Sequence, residues 1–289
     1  MSEAKAHLEA TFLVSCPDRR GLVAALAQLL YGHGANILDA DQHTDASANQ
    51  FFQRIRVDLS EMHADRITLE RGAREVAERF GMRMRIAYGD QRKRVAIFVS
   101  KYTHCLHDLI LRQRAGELRC EIPLIVSNHR ELEPIAQAYG VRFEYMPITR
   151  ETRDAQEARV LTLLAEERID LVVLARYMQI MGGAFCEQWS ERAINIHHSF
   201  LPAFAGPKPY HQAYARGVKV IGATAHYVTA DLDEGPIIEQ AVLAVSHRDS
   251  VDDLVRKGRD LERSVLSNAV RCHVEDRVLV YANKTVVFA

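Results

Sequence analysis

Asn195 and His197 stand two residues apart in the run "AINIHHS", and Asp233 follows in the glycine-ended loop "DLDEG". In an extended strand residues i and i+2 share a face, so the amide of Asn195 and the imidazole of His197 point the same way. Those two donors suit a developing oxyanion, and a carboxylate beside them manages the proton of an attacking water or a leaving amine. The set needs no serine or cysteine nucleophile, which favours direct attack over a covalent acyl-enzyme. Acyl transfer is the chemistry these residues suggest.

A metal site is the competing reading, because His197, His198, His211, His226 and Asp233 lie close together in the chain and zinc takes imidazole and carboxylate ligands. Adjacent residues of a strand face opposite ways, so His197 and His198 are poorly placed to share one ion. No helical His-Glu-x-x-His spacing supports it either, and no metal is expected. His198, on the face opposite His197, is expected to support the proline-containing loop "SFLPAFAGPKPY" rather than the reaction.

Two kinds of element must position these groups. From residue 94 onward apolar strands such as "RVAIFVS", "IPLIVS" and "DLVVLA" alternate with helical stretches. They show no clean alternation, as expected of a mostly parallel sheet covered on both faces. Ligands of such open α/β sheets collect beyond the C-terminal ends of strands, where "INIHH" ends. Before it, "TFLVSC", "LVAALAQLLYGHG", "ANILDADQHT", "FFQRIRVDL", "RITLERGAREVAERF" and "MRMRIAY" read as βαββαβ. That is the ferredoxin-like order. In "FFQRIRVDL", Ile55, Val57 and Leu59 alternate with Arg54, Arg56 and Asp58, predicting one dry and one wet face. The polar "GDQRK" reads as a linker, so the expected division is 8–88, linker 89–93, and 94–289.

Composition sets outer limits. The 289 residues carry a net charge of -1, which provides no field for nucleic acid or an acidic membrane. Five scattered cysteines, never in a Cys-x-x-Cys pair, argue for reduced thiols and a cytoplasmic setting. The first residues lack an apolar signal region, and no stretch approaches the roughly 20 apolar residues of a membrane span.

The segment "SCPDRRGLVAALAQLLYGHGANI" resembles the opening of an ACT domain, a small ferredoxin-like regulatory module. The resemblance covers about residues 8–88 and implies an amino-acid effector, methionine or glycine, near Asp18, Gly21 and Asn36, and a homo-oligomer built by pairing such sheets. The blocks "DLVVLARYMQIM", "NIHHSFLPAF" and "GATAHYVTADLDEGPIIEQ" resemble, in the same order, the folate-dependent formyltransferases, whose domain is an open, mostly parallel, Rossmann-like α/β fold. That likeness implies catalytic places for Asn195, His197 and Asp233. It implies a folate pocket along Tyr177, Met178, Gln179, Ile180, Met181, His226, Thr229, Ala230 and Asp231. No separate cofactor is implied, since 10-formyltetrahydrofolate is then the substrate.

The acceptor separates members of this group. Members that formylate a phosphorylated amine use a glycine-rich turn after the first strand, where backbone N–H groups meet the phosphate. Here that place reads "VSKYTHCLHDL", without glycine, though Lys101 offers a point charge. The doubled histidine joined to an ACT domain is similar to members that give the formyl group to water. Hydrolysis to formate and tetrahydrofolate, with formate supplied to purine synthesis, is the expectation; transfer to a small amine lacking phosphate and a silent folate- or amino-acid-binding protein are the alternatives.

Overall fold

The computed structural model describes residues 8–149, 151–203 and 209–288. The first residues, read above as lacking a signal region, and residues 204–208 of the proline-containing loop lie outside the described residues. The chain forms two compact units, one of Met1–Arg92 with Asp276–Tyr281 and Val286–Ala289, the other of Lys93–Glu275 with Ala282–Thr285. The second domain expected to run unbroken from 94 to 289 thus gives up part of its C-terminal segment to the first unit.

The first unit contains β1 (Glu9–Pro17), α1 (Leu22–Gly32), β2 (Asn36–Asp45), β3 (Gln50–Asp58), α2 (Arg66–Phe80) and β4 (Arg83–Tyr88). Its antiparallel sheet has the order β2-β3-β1-β4, the expected ferredoxin-like arrangement. Phe12, Val14, Ile55 and Val57 turn one face toward Leu22, Leu26 and Leu30 of α1 and Leu69 of α2. The chain enters α1 through Gly21 at φ 93 and leaves α2 through Gly81 at φ 65, both left-handed conformations that glycine adopts without steric cost.

The opposite face of this sheet departs from the alternation read in β3. Arg54 is buried rather than wet; its Nε donates to the Asp276 carbonyl at 2.9 Å. Leu13 and Phe52 on the same layer are covered by Phe288, with Leu279 and Tyr281 beside them. The physical reason is a return of the C-terminal chain: a face that local sequence leaves half polar is closed by residues more than two hundred positions away, which satisfy the guanidinium as well as the rings.

The second unit runs β5 (Lys93–Val99), α3 (His104–Arg114), β6 (Cys120–Ser127), α4 (Glu133–Ala138), β7 (Arg142–Tyr145), α5 (Arg153–Glu166), β8 (Leu171–Leu174), α6 (Gly183–Gln188) and β9 (Ala193–His197). Then come α7 (Pro209–Arg216), β10 (Val220–Tyr227), β11 (Ile237–Ala244) and the long α8 (Val251–Val274), before the terminal strands β12 (Val278–Tyr281) and β13 (Lys284–Val287). The seven-stranded sheet has the order β11-β10-β9-β8-β5-β6-β7. Strands β5 to β9 are parallel and β10 and β11 antiparallel. Ala96, Ile97 and Phe98 of β5 and Leu171, Val172 and Val173 of β8 are fully buried, which explains their unbroken apolar run. From β5 the chain steps outward through β6 and β7, then returns to β8 on the other side. That reversal is the switch point beyond which open α/β sheets bind ligands.

Candidate active site

Strand β9 delivers Asn195 and His197, and its antiparallel partner β10 sets His226 opposite Asn195. Asp233 comes from the loop between β10 and β11, where its backbone sits in the left-handed region at φ 58. A side chain at Gly235 would bring its Cβ to 1.8 Å from the Tyr227 carbonyl oxygen, so only glycine lets the loop close onto the end of β10. The four groups converge. His197 Nδ1 lies 3.1 Å from Asp233 Oδ2, and Asn195 Nδ2 lies 3.4 Å from Asp233 Oδ1 and 3.3 Å from His226 Nε2.

The hydrogen-bond partners assign protons. The Tyr227 carbonyl can only accept, so His226 donates through Nδ1 at 2.9 Å; its Nε2 lies 3.3 Å from the Asn195 amide nitrogen and 3.6 Å from Asp233 Oδ1. His197 donates through Nδ1 to Asp233, and its buried Nε2 has no hydrogen-bond partner among the described residues. Burial alone would push the Asp233 carboxyl up; hydrogen bonds from His197 and His226 and the attraction of both rings outweigh it and hold the group well below the usual carboxylate range. Asp233 is therefore ionised at neutral pH.

His198 departs from the opposite-face expectation. Strand β9 ends at His197 and the chain bends, so the His198 ring comes to 5.3 Å from that of His197 and 6.0 Å from that of Tyr210. Strand alternation fails because the strand has stopped. Burial and the neighbouring Arg176 cation pull His198 down to about 3, and it stands neutral at physiological pH.

These groups open into a cavity of ≈ 610 Å³. Along one wall runs 177–181, the expected folate stretch, and Thr229, Ala230 and His226 also line it. Met178, Ile180 and Leu232 offer apolar surface more than half exposed, suited to the faces of a flat heterocycle. Asp231 does not line the cavity; it is exposed, and its carbonyl accepts from the Thr229 hydroxyl at 3.0 Å within the turn. Leu232 takes the place expected of it.

Helix α5 and Ser100, the residue after strand β5, hold that wall. Glu157 accepts from the Gly182 N–H at 2.7 Å, Arg153 donates to the Ile180 carbonyl at 2.7 Å, and the Ser100 hydroxyl accepts from the Met178 N–H at 3.0 Å. In the glycine-free turn, Lys101 is exposed and paired with Glu131 at 3.5 Å, while Tyr102 and His104 line the cavity.

The cavity also holds a buried polar cluster that sequence reasoning missed. Glu262, from the middle of α8, receives His104 Nε2 at 2.8 Å and the Tyr210 hydroxyl at 2.7 Å, with Arg176 Nε at 3.5 Å. Desolvation opposes its charge, but these partners keep the carboxyl below its ordinary value. His104, Cys105 and Glu262 are also the set of described residues close enough to share an ion. The contributors come from four separate segments of the chain, and no local pattern announces them; the one available signal is a glutamate in an otherwise apolar stripe of α8.

In the first unit Asp18, Gly21 and Asn36 are all exposed. A Cβ at Gly21 would meet nothing nearer than Phe80 at 4.0 Å, so its left-handed backbone, not crowding, requires glycine there.

Family models describe 93–270 as formyl transferase and 10–64 as ACT domain. A formyltetrahydrofolate deformylase of Synechocystis sp. is 56% identical over 98% of this chain and 99% of its own. The crystal structure of a formyltetrahydrofolate deformylase from Pseudomonas syringae superposes with a TM-score of 0.95 at 44% identity, covering 97% of this chain and 94% of that one. A glycinamide ribonucleotide transformylase 1 from Symbiobacterium toebii matches 68% of this chain and 95% of its own, with a TM-score of 0.64 and 32% identity.

Proposed function

The chain belongs to the formyltetrahydrofolate deformylases, and from that membership we propose that Asn195, His197 and Asp233 hydrolyse 10-formyltetrahydrofolate to formate and tetrahydrofolate. The carrying observation is Asp233 in contact with both His197 Nδ1 and the Asn195 amide, with His197 Nε2 buried and without a hydrogen-bond partner among the described residues. Water attacks the formyl carbon and gives its proton to the Asp233–His197 pair. Asn195 and His197 stabilise the oxyanion of the tetrahedral intermediate by hydrogen bonding. The C–N10 bond then breaks, the pair returns the proton to N10, and the formic acid released gives its remaining acidic proton to solvent and leaves as formate. A carboxylate this acidic is a weak base alone; it works by orienting His197 and stabilising its imidazolium.

The pterin lies along 177–181 and 229–232, with its apolar faces against Met178, Ile180 and Leu232. No separate cofactor or metal takes part in this reading. The formate released feeds formate-dependent purine synthesis, and tetrahydrofolate returns to the one-carbon pool. The setting is the cytoplasm; no helix of the described residues is long and apolar enough to cross a membrane. In the first unit an amino acid, methionine or glycine, meets Asp18, Gly21 and Asn36, and the protein works as a homo-oligomer. Neither amino acid altering the rate or the thermal midpoint at millimolar concentration would remove the effector.

The experiment for the reaction is release of formate and tetrahydrofolate by the purified protein without any amine, in water enriched in oxygen-18. One labelled oxygen in formate is the expected result. Product that forms only when an amine is added would overturn hydrolysis.

A further inference from the structure

Arg176 is a conspicuous residue of the cavity. It follows β8 with its backbone in the left-handed region at φ 63 and is 8% exposed. For an arginine such a backbone is strained and persists only where the surroundings enforce it, typically at functional sites. The guanidinium is sandwiched: its Cζ lies 4.8 Å from the Tyr102 ring centroid and its Nε 3.5 Å from Glu262 Oε2. That Nε is buried without a hydrogen-bond partner among the described residues, so the site tolerates an imperfectly paired cation.

The cluster reaches the reacting groups through a short chain of contacts. Tyr210 donates to Glu262 at 2.7 Å, its ring lies 6.0 Å from His198, and His198 lies 5.3 Å from His197. Arg176, Glu262, Tyr210 and His104 therefore line the same cavity as the histidines and the folate wall, with Arg176 directly preceding Tyr177. An amine acceptor entering the cavity carries an ammonium, which needs a carboxylate to hold it and take its proton. Of the two acidic side chains lining the cavity among the described residues, Asp233 is engaged by His197 and Glu262 is already taken up by His104, Tyr210 and Arg176, with the Arg176 cation beside it. Water needs neither the space nor the charge.

We propose that Arg176, seated on Glu262, keeps amines out of this active site and reserves the formyl group for water. It is a specificity-determining residue rather than a catalytic one. The inference rests on the hydrolytic reading above and adds what enforces it. Neutral His198 belongs to the same arrangement, since the Arg176 charge that disfavours its protonation also disfavours an incoming ammonium.

The test compares wild type, Arg176→Gly and the double variant Arg176→Gly/Glu262→Gln, with glycinamide as the amine and N-formylglycinamide and formate as measured products. Glycine takes a positive φ freely, and the double variant removes both buried charges together, so that no unpaired carboxylate is left behind. Wild-type formate release without amine is recorded first; its failure would sink the hydrolytic reading rather than the role of Arg176. The expected result is that glycinamide neither slows wild-type hydrolysis nor accepts formyl from it. Folded Arg176→Gly, which frees Glu262, is expected to form N-formylglycinamide at least about ten-fold faster than wild type while keeping hydrolysis within about ten-fold, and the double variant, which lacks the carboxylate, is expected to lose that gain. Three results would overturn the proposal: glycinamide competing in the wild type, folded Arg176→Gly with no gain in transfer, or hydrolysis by that variant falling more than about a hundred-fold with the fold intact, which would place Arg176 in the chemistry. Arg176→Asn, a residue that also adopts a positive φ, is read by the same two products where Arg176→Gly does not fold.

Discussion

At the scale of the residue, the reaction depends on an anion that is kept charged by its neighbours. Asp233→Asn keeps the size of the side chain and removes the charge that His197 and His226 hold. The variant is expected to lose about a hundred- to a thousand-fold or more in kcat while binding folate nearly as before, read by stopped-assay formate release and equilibrium titration. His198 gives a pH signature of its own. Its folded value of about 3 lies below the roughly 6.5 of an unfolded histidine. Between those values the unfolded chain binds a proton that the folded one does not, so stability is full above the unfolded value and falls as pH drops through this window. The thermal midpoint is expected to fall from about pH 7 to about pH 5 and to fall less steeply in His198→Asn, a comparison that cancels other titrating groups.

At the scale of the element, precision comes from backbone anchors around the loops. Glu157 on α5 holds the Gly182 N–H, where any Cβ would stand 2.5 Å from Glu157 Oε1. Glu157→Ala releases the folate wall without touching the reacting groups, so KM is expected to rise about ten-fold with kcat changed less than about three-fold, measured by steady-state kinetics. Helix α8, which carries Glu262, begins with a capping box in which Ser250 Oγ accepts from the Asp253 N–H at 3.2 Å and Asp253 Oδ2 accepts from the Ser250 N–H at 3.0 Å. Ser250→Ala is expected to cost about 1 kcal/mol in urea unfolding with little change in kcat, because the cap lies three turns from Glu262.

At the scale of the whole molecule, the first unit is completed by the last residues of the chain. Arg54 and Arg85 both bind Asp276, Tyr281 donates to Asp45 at 2.6 Å, and Phe288 covers Leu13 and Phe52. A fragment ending at Arg92 therefore exposes two large apolar side chains and leaves a buried guanidinium without its carbonyl. Such a fragment is expected to unfold at lower urea than the same unit in the intact chain, by several kcal/mol, and to bind a hydrophobic dye; equal stability of the two would refute a structural role for the C-terminal segment.

The sequence by itself determined what is local. The period-2 run that places Asn195 and His197 on one face, the apolar blocks of a covered parallel sheet, the βαββαβ order and the glycine after Asp233 all follow from constraints that act over a few residues. Tertiary structure decided what depends on distant partners. His198 turned toward His197 because the strand ended between them, and Arg54 became buried because the C-terminus came back to cover it. Tyr102, His104, Arg176, Tyr210 and Glu262 met in one cavity although no spacing links them. Burial and charge pairing are properties of the assembled interior, and a local pattern carries no information about which remote group will satisfy a given polar atom.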